Sequence, residues 1–256
     1  MHYIWWTNSH NSKLVIEGDH SGFVIATTPP CNIKQKEWSA FMAYNYIFFD
    51  LDGTLTDPER GLLESFAYGL GKMGIKWAHK KELRRFIGPP LYTEWQEVYG
   101  FTPEESSRAL DFFTEYYQVY GWWDNTIYGG VREMLSALKA AGKKIILATS
   151  KPEFFARKIL KLFDIEQYFD FIAGAIADKI RDKKWEVLEY AYASIGAPDK
   201  SECLMVGDRR FDAEGAAICG IKSIGVLYGH GTLEELSSST FEALRQTPDD
   251  VVSYLS

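Results

Sequence analysis

The chain has 256 residues, 46% of them hydrophobic and 25% charged, and a formal net charge of -7. That length holds one large or two modest domains with a real core, and the acidic balance argues against a general nucleic-acid binder, whose footprint is a basic face, while leaving local phosphate binding open. Three widely spaced cysteines, Cys31, Cys203 and Cys219, form no CxxC pair, which suggests neither a disulfide framework nor a structural zinc site and makes a reducing cytoplasm the simplest setting.

No apolar run approaches the roughly 18 to 20 residues needed to cross a bilayer, and the N-terminus lacks the basic-then-apolar order of a signal peptide, so the chain reads as soluble. Residues 1–41 differ from the rest. KLVIE at 13–17 and FVIAT at 23–27, split by GDHSG, suggest a hairpin, and Pro29-Pro30 opens a polar stretch that reads as a linker. These 41 residues are expected to be an accessory extension, such as a tag or an upstream start.

From Tyr46 onward short apolar runs alternate with amphipathic stretches. Residues 46–49, 144–148, 203–206 and 222–227 read as strands, being short and rich in β-branched or aromatic residues. A helix is expected over 131–140, stopped by Gly142 in the left-handed position, and others after Pro152 and Lys184. Strands alternating with helices imply an α/β fold with a Rossmann-like parallel sheet covered on both faces and a ligand site at its carboxyl ends. Residues 59–124 break the alternation: no strand is evident, and Thr102-Pro103-Glu104-Glu105 carries a cap, a first-turn proline and a capping box. The expected organisation is therefore an α/β core at 42–58 and 125–256 with an inserted α-helical cap at 59–124, lying over the site as a lid.

Four clusters fall at strand ends. In IFFDLDGTLTD, Asp50 and Asp52 would share a side if extended geometry continued. Two such charges are costly unless a cation or a proton separates them, and magnesium favours carboxylate, carbonyl and water oxygens. In LATSKP, Thr149 and Ser150 offer a hydroxyl and backbone N–H groups near a helix start, as a phosphate cradle would. Lys183-Lys184 opens a helix whose N-terminus ordinarily prefers acids, so one of them could reach a phosphate. In MVGDRRFD, Asp208 ends a buried strand and Asp212 follows on the first helical turn. Taken singly, each has an ordinary reading, respectively a surface turn, an N-cap, a solvated lysine pair and a helix start. All four ordinary readings would have to hold together, although a parallel sheet makes these ends converge.

With those residues in view, positions 46–256 resemble the haloacid dehalogenase-like hydrolase superfamily, through DLDGTLTD at 50–57, ATSKP at 148–152, Lys184 and GDRRFD at 207–212. IGPPL at 87–91, NTIYG at 125–129 and SIGVLYGHG at 223–231 are similar to its phosphoglycolate phosphatase-like or 5'-nucleotidase-like branch, which has an α-helical cap. The resemblance implies that Asp50 is the nucleophile and forms a phosphoaspartyl intermediate, while Asp52 protonates the departing alkoxide and then assists water. It also implies Mg2+ held by Asp50, the Asp52 carbonyl and Asp208, with Asp212 behind, and a phosphoryl group held by Thr149, Ser150 and Lys184. Lys184 is preferred to Lys183 because Lys184-Trp185-Glu186-Val187 matches the branch's Lys-x-Glu-Val pattern. Gly174-Ala175 and Asp178-Lys179 depart from the branch, which often has Gly-Ser and an Asp-Gly turn there.

The expected activity is a Mg2+-dependent phosphatase of small phosphomonoesters, with a small phosphorylated metabolite as partner and neither a nucleic-acid polymer nor a membrane. A sugar phosphomutase is the alternative, disfavoured by IGPPL, and a non-catalytic binding module would require lost catalytic residues. The Gly88-Pro89-Pro90 turn is a candidate substrate-facing loop or a simple helix break. Tyr92, Trp95, Tyr116 and Tyr117 of the cap could stack on a nucleobase, although helical spacing of aromatics more often means core packing.

Overall fold

A computed structural model describes residues 44–77, 79–176, 181 and 183–256. The expected hairpin and linker in 1–41, Cys31, Asp178 and Lys179 lie outside the described residues. Strands β1 (Tyr46–Phe49), β2 (Thr56–Asp57), β3 (Thr126–Ile127), β4 (Lys144–Pro152), β5 (Phe171–Ala175), β6 (Cys203–Gly207), β7 (Lys222–Val226) and β8 (Ala243–Arg245) form two sheets. The larger is six-stranded in the order β5-β4-β1-β6-β7-β8, and every pairing in it is parallel. The smaller pairs β2 with β3 antiparallel.

Side-chain alternation explains why both faces are buried. Ile47, Phe49, Ile145, Leu147, Leu204 and Val206 enter one core cluster, and their neighbours Phe48, Ile146, Ala148, Cys203 and Met205 enter the other. Each fully buried Phe or Ile contributes on the order of 1.5–3 kcal/mol. The apolar stripes of the helices complete these clusters. Helix α1 (Glu59–Lys72), α2 (Leu91–Tyr99) and α3 (Pro103–Tyr116) belong to the region between β2 and β3. On the first face of the sheet lie α4 (Val131–Ala140), with Val131, Met134, Leu135 and Leu138 at helical spacing, and α5 (Glu153–Leu162). On the second lie α6 (Lys184–Ser194) and α7 (Arg210–Ile218). A short α8 (Leu233–Ser237) and α9 (Pro248–Leu255) end the chain, with Val251 and Leu255 of α9 on the first face.

The region between β2 and β3 has a core of its own, built from Leu62, Phe66, Leu70, Leu83, Phe86, Ile87, Trp95 and Ala109. A 3-10 helix (Lys80–Phe86) precedes α2, and α3 runs into a π-helix (Tyr117–Gly121). Thr102 caps α3 as expected: its Oγ1 accepts the Glu105 amide at 3.2 Å, and the Glu105 carboxylate accepts the Thr102 amide at 2.8 Å. The helices do not leave β1 directly, because a turn and β2 intervene.

β1 is central, and the chain departs from it first toward β4 and β5, then toward β6, β7 and β8. Crossovers that diverge from a central strand open a crevice at the carboxyl ends, where ligands of such sheets bind.

Candidate active site

Asp50 follows β1 directly and stays in register with the sheet, its amide donating to the Val206 carbonyl at 3.0 Å. Extended geometry then stops. Thr54 and Leu55 turn their amides back to the Leu51 carbonyl at 3.2 and 2.9 Å, and Gly53 adopts φ +86. Glycine is required there twice over: the backbone is left-handed, and a Cβ would lie 2.1 Å from Oδ2 of Asp208.

β6 delivers Asp208 to the same place, fully buried. Its Oδ2 accepts the His230 amide at 2.8 Å, and the Thr54 hydroxyl lies 3.4 Å from its Oδ1. Burial first, then the neighbouring Asp212 and Asp50 charges, hold its carboxyl well above the usual carboxylate range. Asp212 sits on the first turn of α7 and accepts the Arg209 amide at 3.1 Å. Burial pushes it up to about 6, Lys184 opposing the rise and Asp50 adding to it.

Lys184 begins α6, buried, with its ammonium 2.8 Å from Oδ1 of both Asp50 and Asp212. It donates a directed hydrogen bond to the Ala148 carbonyl at 3.1 Å. Burial alone would loosen its proton, but Asp212 and Asp50 outweigh that and keep it charged. Lys183 is exposed, so of the two lysines it is Lys184 that reaches the carboxylates.

Thr149 is buried on β4, and its Oγ1 accepts the Lys151 amide at 3.2 Å. The strand was expected to end at residue 148, with a helix after Pro152; β4 instead continues to Pro152, and α5 starts at Glu153 as expected. Thr149 and Ser150 therefore stand on an extended strand rather than at a helix start. The pairing of Pro152 with Ala175 of β5, across a register shift, accounts for the extension.

Asp52 is the clearest departure. Its side chain does not join the other carboxylates, because the chain turns back on the Leu51 carbonyl; instead its Oδ2 pairs with the ammonium of buried Lys151. Only its carbonyl remains for the metal role the resemblance implies, and its Oδ1 has no hydrogen-bond partner. Lys151 also lies 5.3 Å from the ring centroid of Tyr117 in the π-helix. Burial raises the Tyr117 phenol, against the pull of Lys151. Trp95 is fully buried as core, while Tyr92 and Tyr116 are half-buried. Reading the sequence missed Lys151, although its place two residues after Thr149 on an alternating strand was a usable signal.

Asp50, Asp208 and Asp212 each offer an oxygen within 4.8 Å of the others. Three buried carboxylates face one ammonium, which lies 2.8 Å from Oδ1 of Asp50 and of Asp212 and is hydrogen-bonded to both. An excess of buried negative charge on clustered hard oxygens fits a small divalent cation. A second group, Asp57, Glu59 and His230, also lies within 4.8 Å, but Asp57 accepts the Glu59 amide at 3.0 Å and Glu59 pairs with Arg84 at 2.7 Å. Among the described residues no helix is long and apolar enough to cross a membrane.

Comparison with known proteins agrees with this arrangement. The family model described as haloacid dehalogenase-like hydrolase matches residues 47–226. The 5'-nucleotidase of Pseudomonas aeruginosa is 39% identical over 197 residues, 77% of this chain and 89% of that protein. The tyrosine-protein kinase PtkA of Mycobacterium tuberculosis is 37% identical over 194 residues, 76% of this chain and 66% of the kinase. A crystal structure of a predicted phosphatase from Clostridium acetobutylicum superposes with a TM-score of 0.79 at 37% identity, covering 83% of this chain and 98% of that one.

Proposed function

The chain belongs to the haloacid dehalogenase-like hydrolase family and is a phosphatase of it, and from that premise we propose that it hydrolyses small phosphomonoesters, 5'-nucleotides first and phosphoglycolate second, through a phosphoryl group carried on Asp50. The observation that carries this reading is the meeting of Asp50, Lys184 and the Asp208–Asp212 loop, from three separate segments, in one buried cluster, with buried Thr149 following the Ala148 carbonyl that Lys184 bonds.

Asp50 attacks phosphorus, and the ester oxygen leaves as the new Asp50 O–P bond forms. Asp52 supplies a proton to that oxygen, then takes one from the water that frees phosphate from Asp50. Thr149, the Ser150 amide and Lys184 hold the phosphoryl oxygens, since phosphoryl transfer asks chiefly for positioning and charge neutralisation. Mg2+ held by Asp50, the Asp52 carbonyl and Asp208, with Asp212 behind them, supplies further neutralisation when bound. The helices between β2 and β3 serve as a cap that excludes water, and Tyr117 of that region lies 5.3 Å from the Lys151 ammonium, so the cap meets the site there. The first nucleotide preference draws support from the 5'-nucleotidase relative. Cytoplasmic residence is supported by the two buried free thiols, Cys203 and Cys219.

The test is phosphate release by the purified chain with Mg2+ over 5'-nucleotides, phosphoglycolate and sugar phosphates, alongside Asp50→Asn. Release that requires Mg2+ and vanishes in the variant is expected. Undiminished hydrolysis by Asp50→Asn would reject the nucleophile, and isomerisation of a sugar 1-phosphate without free phosphate would reject hydrolysis.

A further inference from the structure

Arg209 lies between the two carboxylates of the GDRRFD loop, where the mechanism gives it no part. Its backbone amide donates to Oδ2 of Asp212 at 3.1 Å. Its side chain points the other way, Nη1 donating to the carbonyl of Ile87 at the end of the 3-10 helix. Its Nε donates to Oε1 of Glu235 at 2.9 Å, and that same oxygen accepts the Arg210 amide at 3.0 Å. Thr232 fixes Glu235 in turn, its Oγ1 accepting the Glu235 amide at 3.1 Å.

The cap side of this contact is fitted to it. Gly88 has φ +108, and a Cβ there would come within 2.8 Å of Nη1 of Arg209. Pro89 is buried beside it, and Pro90 caps α2. A rigid turn without a side chain thus lets a guanidinium reach the backbone of the cap loop. Both bonds of the guanidinium are charge-assisted, one to a carboxylate and one to a carbonyl, in a site where Arg209's side chain is only 18% exposed.

We infer that Arg209 is a positioning residue that ties docking of the cap loop at residues 87–90 to the orientation of the Asp212 carboxylate. The peptide unit that orients Asp212 and the side chain that holds Ile87 belong to one residue, and Glu235 braces both. A ligand that fixes the Asp208–Asp212 loop therefore favours a docked cap, and a docked cap favours that ligand by the same factor, since linkage is reciprocal. The inference rests on the phosphatase reading for its relevance to turnover, but its test does not.

Amide hydrogen exchange on the full chain reads the cap loop directly. Arg209→Met removes the donors while keeping an extended apolar stem, and exchange in peptides covering residues 84–95 is expected to speed up by about 10-fold. Saturating Mg2+, alone and with inorganic phosphate, is expected to slow exchange there in the parent, and to leave Arg209→Met unmoved. Arg209→Lys keeps the charge without the two-pronged geometry and should restore part of the response. Protection of the β1 and β6 amides monitors folding; if Arg209→Met loses it, Arg209→Lys against Glu235→Gln decides. Equal cap-loop exchange in parent and variants, or a response to Mg2+ and phosphate that is absent from the parent or survives loss of Arg209, overturns the inference. Failure of the phosphatase reading shows differently, as absent phosphate release from a parent whose cap loop still responds.

Discussion

Asp212→Asn should make the chelated protein more stable at alkaline pH. Asp212 is fully buried and its proton is held up to about 6 in the folded protein, against an ordinary 3.8. That difference converts to about 3 kcal/mol. The folded state binds this proton more tightly than the unfolded chain does. Stability from this group is therefore present below pH 3.8, declines as pH rises through about 6, and stays lost above it. Asparagine resembles the protonated form at every pH. In EDTA the variant should exceed the parent by up to about 3 kcal/mol at pH 8, with the gap closing as pH approaches 4. Asp208 is raised in the same direction, in part by the Asp212 charge, so its own proton is held less tightly in the variant. Urea melts at pH 8 and pH 4.5, with and without Mg2+, measure the gap. Added Mg2+ should stabilise the parent more than the variant. A variant no more stable than the parent at pH 8, or a gap independent of pH, would refute the charge-excess account of this pocket.

Asp50→Asn should abolish phosphate release while leaving the melting temperature within a few degrees of the parent, checked by calorimetry beside the release assay. Lys151→Met frees the Asp52 carboxylate to rotate; turnover of alkyl phosphates, which need a proton donor, should fall roughly 10²–10⁴-fold. p-Nitrophenyl phosphate, with its good leaving group, should lose far less, and an equal loss on both would remove Lys151 from the acid step. Gly53→Ala combines left-handed strain of roughly 1–2 kcal/mol with displacement of Asp208, so Mg2+ affinity by titration calorimetry should drop along with stability. Thr102→Ala removes the α3 cap and should cost about 1 kcal/mol in urea melts without changing turnover on a small aryl phosphate.

β1 and α4 were readable because local pattern and burial agree in them: YIFF is buried on both faces, and α4 stops at Gly142, whose φ is +77. β5 and β8 went unread. FIAGA is short, with three small residues among five, and the ALR of β8 is half-buried at a sheet edge, so neither carries a distinctive period. The polar TSKP read as the approach to a helix start and became strand because β5 pairs with it, a fact local to neither segment. Asp50 and Asp208 were legible as acids at the ends of apolar runs. Asp52 points elsewhere because β1 ends at Phe49 and the chain turns back on the Leu51 carbonyl. The roles of Lys151 and Arg209 depend on partners 99 and 122 positions away, which no short window contains.

Lys184 has a consequence for how the pocket is assembled. Its ammonium already spans Asp50 and Asp212, so these acids have a tethered counter-ion supplied by the polypeptide itself. Unlike a zinc finger, whose ligands organise only around their ion, this centre can form during folding and be loaded afterwards. Chelation should then silence the protein without unravelling it, and a cell could toggle it by the supply of free cation alone.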